Sequence, residues 1–287
     1  MSAGVRPLYW SVRRELWENR SIYLAPLAVA ALFLVGFLIA LVRLPETVGA
    51  ASSLSPAQQQ EAMEQPYVVA AIMLMAVALV VALFYCLDAL YGERRDRSVL
   101  FWKSMPVSDL TTVLAKASIP VLVLPLVTFA VTVATHFVML LTGSAVLAGR
   151  GMSISALWAQ VPFFETAWIN FVHVVGFHGI WYAPIYGWLL LVSAWAKRAP
   201  FLWATLPPMA IGAVERIAFD TSHFAGFLQR HFLGDMESDA PATMTMDMLS
   251  PLPVVEYLTS PGLWVGLAVT AVFLFLAVRL RRSRGAI

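Results

Sequence analysis

The chain has 287 residues, 60% hydrophobic and 13% charged, with a mean hydropathy of +0.77 and a formal net charge of +2. Soluble domains carry about 25% charged residues; half that share, with apolar runs beyond about 18 residues, excludes an ordinary soluble fold and implies an all-α integral membrane protein. The one cysteine, Cys86, sits in an apolar run and excludes an intrachain disulfide.

Residues 6–20, RPLYWSVRRELWENR, come first. Tyr9, Val12 and Leu16 share one helical face, with Leu8 beside them, while Arg13, Arg14, Glu15 and Glu18 lie largely elsewhere. Trp10 and Trp17 suit headgroup depth. The segment to about residue 21 reads as an amphipathic helix lying in the membrane interface, the plainer alternative being a basic anchor.

A helix needs about 20 apolar residues to cross roughly 30 Å of hydrocarbon. Six segments are predicted to do so: Ile22 to Val42, Tyr67 to Leu90, Ser118 to Leu141, Trp168 to Trp195, Phe201 to Phe219 and Leu263 to Leu280. The first exceeds the roughly 7–15 apolar residues of a signal peptide and is expected to be retained. The fourth is long enough to tilt or to contain a non-spanning lead-in. The fifth is the weakest, because it contains Pro207, Pro208 and Glu215. The two prolines remove backbone donors and are expected to kink it.

Fifteen of the 19 Lys and Arg residues fall in four segments: the N-terminal lead-in, the loop between spans two and three, the turn Lys197–Arg198, and the tail. By the positive-inside rule these share the cytoplasmic side, which sets an even number of spans with both termini cytoplasmic. The opposite side is acidic between Asp220 and Thr259. Residues 220–261 are expected to form short extracytoplasmic helices capping the outer mouth. Residues 1–287 thus read as a single transmembrane domain.

The loop over residues 92–116 is the least typical stretch. YGERRDRSVLFWKSMPVSD places Glu93, Arg94, Arg95, Asp96 and Arg97 directly before Val99, Leu100, Phe101 and Trp102. Asp96 to Ser104 can form about two helical turns, Pro106 breaks them, and Ser108 or Asp109 can cap the helix that follows. Exposed aromatics rimmed by charge suit protein docking. A headgroup belt fits the same residues equally well.

This stretch resembles the signature loop of bacterial ABC transporter permeases of the ABC-2 family, in which a Glu-Arg-rich turn followed by Leu-Phe-Trp-Lys-Ser-Leu-Pro-Val-Ser links spans two and three. Met105 stands where leucine is common. The motif covers about 25 residues, through Lys116. The six-span layout resembles the type V exporter fold less specifically. The resemblance implies a non-catalytic transport subunit of a bacterial inner membrane complex. Its loop would be a coupling helix docked on a separate ATP-binding subunit. Glu93, Arg94, Arg95, Asp96, Arg97, Leu100, Phe101, Trp102, Lys103 and Pro106 would form the contact, with Phe101 and Trp102 as anchors and Lys197 and Arg198 a smaller second contact. It also implies a second permease copy or paralogue, contact with membrane lipid and no nucleic acid. ATP and magnesium would sit on the partner, in keeping with the lack of a G-x-x-x-x-G-K-[ST] phosphate loop in this sequence. Alternatives are a sensor or assembly subunit that transports nothing, and an intramembrane enzyme.

Ionisable groups inside spans are functional candidates by default. Asp88 is expected to pair with a nearby arginine. His136, His173 and His178 lie in outer halves of spans. The five-residue spacing of the last two does not put both on one helical face, which argues against a metal pair. Glu215 and Arg216 are expected near the outer end of the fifth span. Aromatics crowd the fourth span, where packing is their expected role.

Overall fold

A computed structural model of the chain describes residues 5–44, 49, 55–224, 226 and 259–283. Among these residues there is no strand. Helix α1 covers Val5–Glu18 and α2 covers Ser21–Ala40. A long α3 covers Pro56–Ala89; its 34 residues reach about 51 Å at 1.5 Å per residue, well beyond a roughly 30 Å hydrocarbon layer. The excess is its polar start, PAQQQEAMEQ, where Ser55 and Gln58 form a reciprocal capping box.

Three short helices follow: α4 (Tyr91–Arg95), α5 (Ser98–Ser104) and α6 (Asp109–Ser118). A π-helical stretch, Ile119–Val123, joins α6 to α7 (Leu124–Gly149). Then come α8 (Ile154–Gln160), α9 (Phe163–Phe171), a second π-helical stretch (Val172–Trp181), α10 (Ala183–Trp195), α11 (Pro200–Phe219) and α12 (Pro261–Ser283).

Among the described residues, four helical stretches are long and apolar enough to cross a membrane: Ser21–Arg43, Pro56–Arg95, Asp109–Gly149 and Pro261–Ser283. A fifth is reached if Leu157–Trp181 and Ala183–Trp195, bent by 42° at their junction, count as one span. The expected fourth span, Trp168 to Trp195, falls on this bent pair, whose geometry is that of a broken span or a re-entrant loop. The expected fifth, Phe201 to Phe219, does form within α11, and the helix runs unbroken through Pro207 and Pro208. It falls short as a span because the prolines, Glu215 and Arg216 dilute its apolar content. Most of the segment 220–261 lies outside the described residues.

The interior has three apolar layers. Toward one end, Met63, Tyr67, Met139, Leu140 and Leu157 pack together with Phe33 and Phe37. In the middle, Ile22, Ala78, Ala82, Cys86, Leu124, Tyr186 and Leu190 join α2, α3, α7 and α10. Leu90, Val113, Ala194, Ala277 and Val278 close the other end. The two π-helical stretches face each other, and a Cβ added at Gly179 would overlap the Val121 carbonyl oxygen. Glycine is what lets these two backbones approach so closely.

Candidate functional site

Beyond the third apolar layer the structure gathers charge. Glu15 of α1 is 1% exposed, Glu93 of α4 8%, Lys116 of α6 3% and Arg281 of α12 6%. Lys116 Nζ lies 2.8 Å from Glu15 Oε1 and 3.1 Å from Glu93 Oε1. Arg281 pairs with the other Glu93 oxygen and, through Nε at 3.0 Å, with Asp109. Arg14 Nη2 donates to Glu15 at 2.8 Å and to Glu93 at 2.9 Å. The Tyr85 hydroxyl donates to Glu15 Oε2 at 2.8 Å. Four carboxylates, Glu15, Glu93, Asp109 and the half-exposed Glu18 at 3.4 Å from Arg14, thus meet three cations, Arg14, Lys116 and Arg281.

Charges this deep are tolerated only when paired and hydrogen-bonded. Here the pairing joins chain segments up to 188 residues apart. All four basic segments of the sequence come to this one end: the lead-in through Arg14, the loop through Glu93 and Lys116, the tail through Arg281, and the turn after α10 through Arg94. Arg94 donates to the Ser193 carbonyl at 2.8 Å and to the Ala196 carbonyl, satisfying acceptors that the end of α10 leaves open. The Ser193 hydroxyl accepts the backbone N–H groups of Leu90 at 3.0 Å and Tyr91 at 2.8 Å, where α3 breaks into α4.

Burial works against the Arg14 charge, but Glu15, Glu18 and Glu93 outweigh it and hold the guanidinium above its ordinary pKa. Burial likewise lifts the Glu18 carboxyl above its ordinary value, though Arg14 pulls the other way.

The hairpin stands on this layer. Arg97 adopts a left-handed conformation, φ 60°, which L-residues visit seldom, and turns the chain from α4 into α5. The break at Pro106 follows Ser104, and Ser108 takes the cap of α6, accepting from the Thr111 N–H at 3.0 Å. Within α5, positions 99 and 102 face inward, three residues apart. Val99 is 1% exposed, and Arg14 lies 3.8 Å over the Trp102 ring. Leu100 and Phe101 point outward, each 60% exposed.

The ten residues read from sequence as one docking element therefore divide. Arg95, Asp96, Arg97, Leu100, Phe101, Lys103 and Pro106 are exposed. Trp102 is half-buried, and Glu93 and Arg94 are interior. The last two belong to the foundation of the hairpin, not to its rim.

Comparison with known protein families, curated proteins and solved structures finds no match to this chain. The site must stand on its own geometry.

The lead-in helix departs from its expected apolar face only in turning Tyr9 outward and admitting Glu15 to the interior. Val12 and Leu16 do pack on the core. Glu15 enters the ion-pair layer beside them, and Tyr9, Trp10 and Trp17 are turned outward at 54%, 56% and 63% exposure.

The other ionisable candidates are dispersed. Asp88 meets Arg95 loosely at 3.9 Å, both well exposed. His136 Nε2 lies 2.9 Å from the Tyr67 carbonyl, and His173 Nδ1 lies 2.9 Å from the Ile169 carbonyl. His178 packs edge-on against Tyr182. Glu215 accepts from the Thr221 hydroxyl at 3.0 Å and from the backbone N–H groups of His223 and Phe224, both at 2.8 Å. It fastens the turn after α11. No group of three His, Cys, Asp or Glu side chains suited to a metal occurs among the described residues. Sequence reasoning missed Glu15, Asp109, Arg281 and Ser193. A usable signal was the pair of glutamates, Glu15 and Glu93, in segments otherwise dominated by arginine.

Proposed function

We propose that this chain is the membrane-embedded permease subunit of an ATP-driven exporter, coupled to a separate ATP-binding subunit through the hairpin over residues 91–109. The observation that carries this reading is the pairing of an exposed apolar knob with a rigid base. Leu100 and Phe101 protrude beside Arg95, Asp96, Arg97 and Lys103, while Glu93 beneath them is tied to α1, α6 and α12. A knob of this kind supplies buried area, and its charged rim sets orientation. A push on it is delivered to the ends of several long helices at once. The likeness of the loop to that of ABC-2 permeases supports the same reading.

In this proposal the charged end faces the cytoplasm of a bacterial inner membrane. Both termini lie there, α11 completes a six-span set, and α1 lies along the membrane surface. Two permeases, identical or paralogous, enclose a path between them. Closure of the ATP-binding partners moves the hairpin and turns that path outward. The apolar spans suit an amphipathic or lipid-like cargo.

The test is the double variant Leu100→Ala/Phe101→Ala in the full-length tagged chain. Both side chains are exposed, so the melting temperature is expected to hold while the co-purifying ATPase is lost. An intact complex with the variant would overturn the docking role.

A further inference from the structure

A second feature of the charged end is an open cleft of about 450 Å³ between α10 and α12. Trp188, Leu191 and Trp195 line one side, Leu276 and Leu280 the other, and Arg279 and Ser283 stand on its wall. Its volume falls within the roughly 300–1,000 Å³ of small-molecule sites. The two indoles are held in place: Trp188 donates to the Ala204 carbonyl at 3.0 Å, and Trp195 packs edge-on against Trp203 at 4.7 Å.

The charge around the cleft is one-sided. Residues 183–214 and 261–283, which frame it, contain no Asp or Glu. They carry Lys197 and Arg198 two and three residues beyond Trp195, and Arg279, Arg281 and Arg282 at the end of α12. Arg281 is committed to Glu93 and Asp109. Lys197, Arg198, Arg279 and Arg282 are exposed, and none of the four has an ion-pair partner among the described residues.

The geometry points to a binding site for one anionic phospholipid, an acyl chain lying along the leucines and tryptophans and its phosphate held by Arg279 with Lys197 or Arg198. Cleft and cations fit the two ends of such a molecule at once. Basic residues beside a membrane surface attract anionic headgroups, and arginine engages phosphate through paired N–H donors. A second copy is the rival occupant. A two-fold contact there would set the same cations against each other with no carboxylate between them. The inference needs only membrane residence and is independent of the transport reading.

The test is native mass spectrometry of the full-length chain in mild detergent, titrated with phosphatidylglycerol or with phosphatidylcholine of identical acyl chains. One retained phosphatidylglycerol is expected, against none for phosphatidylcholine. Arg279→Gln is expected to weaken retention about five- to tenfold. Leu276→Trp, which fills the cleft, is expected to abolish it. Leu32→Trp, at a 70% exposed position of α2, is expected to change nothing. Each variant must melt with the parent chain, and Arg279→Lys is expected to retain the lipid should Arg279→Gln fold poorly. Equal retention of both lipids, or unchanged retention in Arg279→Gln, would overturn the site. So would a dimer that excludes lipid and dissociates in Leu276→Trp.

Discussion

Replacing Glu93 with glutamine removes the charge on which the ion-pair layer converges. Glu93 faces Arg14 at 2.9 Å, Lys116 at 3.1 Å and Arg281, with its side chain 8% exposed. In Glu93→Gln, Lys116 keeps Glu15 and Arg281 keeps Asp109. Of the four most buried groups, Lys116 and Arg281 then face Glu15 alone, a net charge of +1 where two cations had met two carboxylates. Removing one partner of a buried pair costs about 3–5 kcal/mol, or roughly 140- to 3,700-fold in the folding equilibrium at 1.4 kcal/mol per tenfold. At about 2–4 °C per kcal/mol the melting point should fall by roughly 6–20 °C. The protein carries its own reporter, since Cys86 is the one cysteine and is 0% exposed. A maleimide dye that fluoresces on thiol addition reads its exposure during a thermal ramp. Glu61→Gln, at an exposed position of α3, is the control and is expected to melt with the parent chain. Adding Lys116→Met to Glu93→Gln restores balance and should recover part of the loss. A Glu93→Gln protein that melts with the Glu61→Gln control would refute the view that these charges hold the end of the bundle together.

Because the layer is buried, salt should screen it little: the melting point in 0.5 M sodium chloride should match that at low salt, and a steep fall would mean that water reaches the charges. Gly179→Ala places a methyl against the Val121 carbonyl and should destabilise by about 1–3 kcal/mol, read in the same melt; a neutral result would mean that the two π-helical stretches separate readily. A carboxyl with a raised pKa favours the folded state below its ordinary value, and that contribution is lost as pH rises through the folded value. Glu18→Gln should therefore raise the melting point slightly at pH 7 and leave it unchanged at pH 4. A variant that is less stable at pH 7 would reverse the assignment.

Much of the architecture was legible because it follows from local chemistry. Four of the six expected spans fall in helices long and apolar enough to cross, Pro106 ended α5, and Ser108 capped α6, since each depends on residues close along the chain. The interior charges were not legible. Glu93 and Arg94 look solvent-seeking in a run of five charged residues. Their burial depends on Lys116, Arg281 and the carbonyls of Ser193 and Ala196, between 23 and 188 residues away. The helical wheel of α1 separated apolar from charged residues, yet could not reveal that Glu15 would find Lys116 and Tyr85 inside. Spacing in α5 marked a hydrophobic cluster but not its direction. Only the packed hairpin turns Trp102 inward beneath Arg14 and leaves Leu100 beside Phe101 outside. Span counting weakened at α11, where two prolines and a Glu–Arg pair sit in a helix of otherwise adequate length.

The most direct test of the transport reading is mild-detergent purification of the tagged chain at native expression levels, with mass spectrometry of whatever elutes with it. The expected result is a stoichiometric ATP-binding subunit of the ABC type, retained by the parent chain and lost from Leu100→Ala/Phe101→Ala. A folded parent chain that elutes with no ATPase would contradict the proposed coupling role of the hairpin.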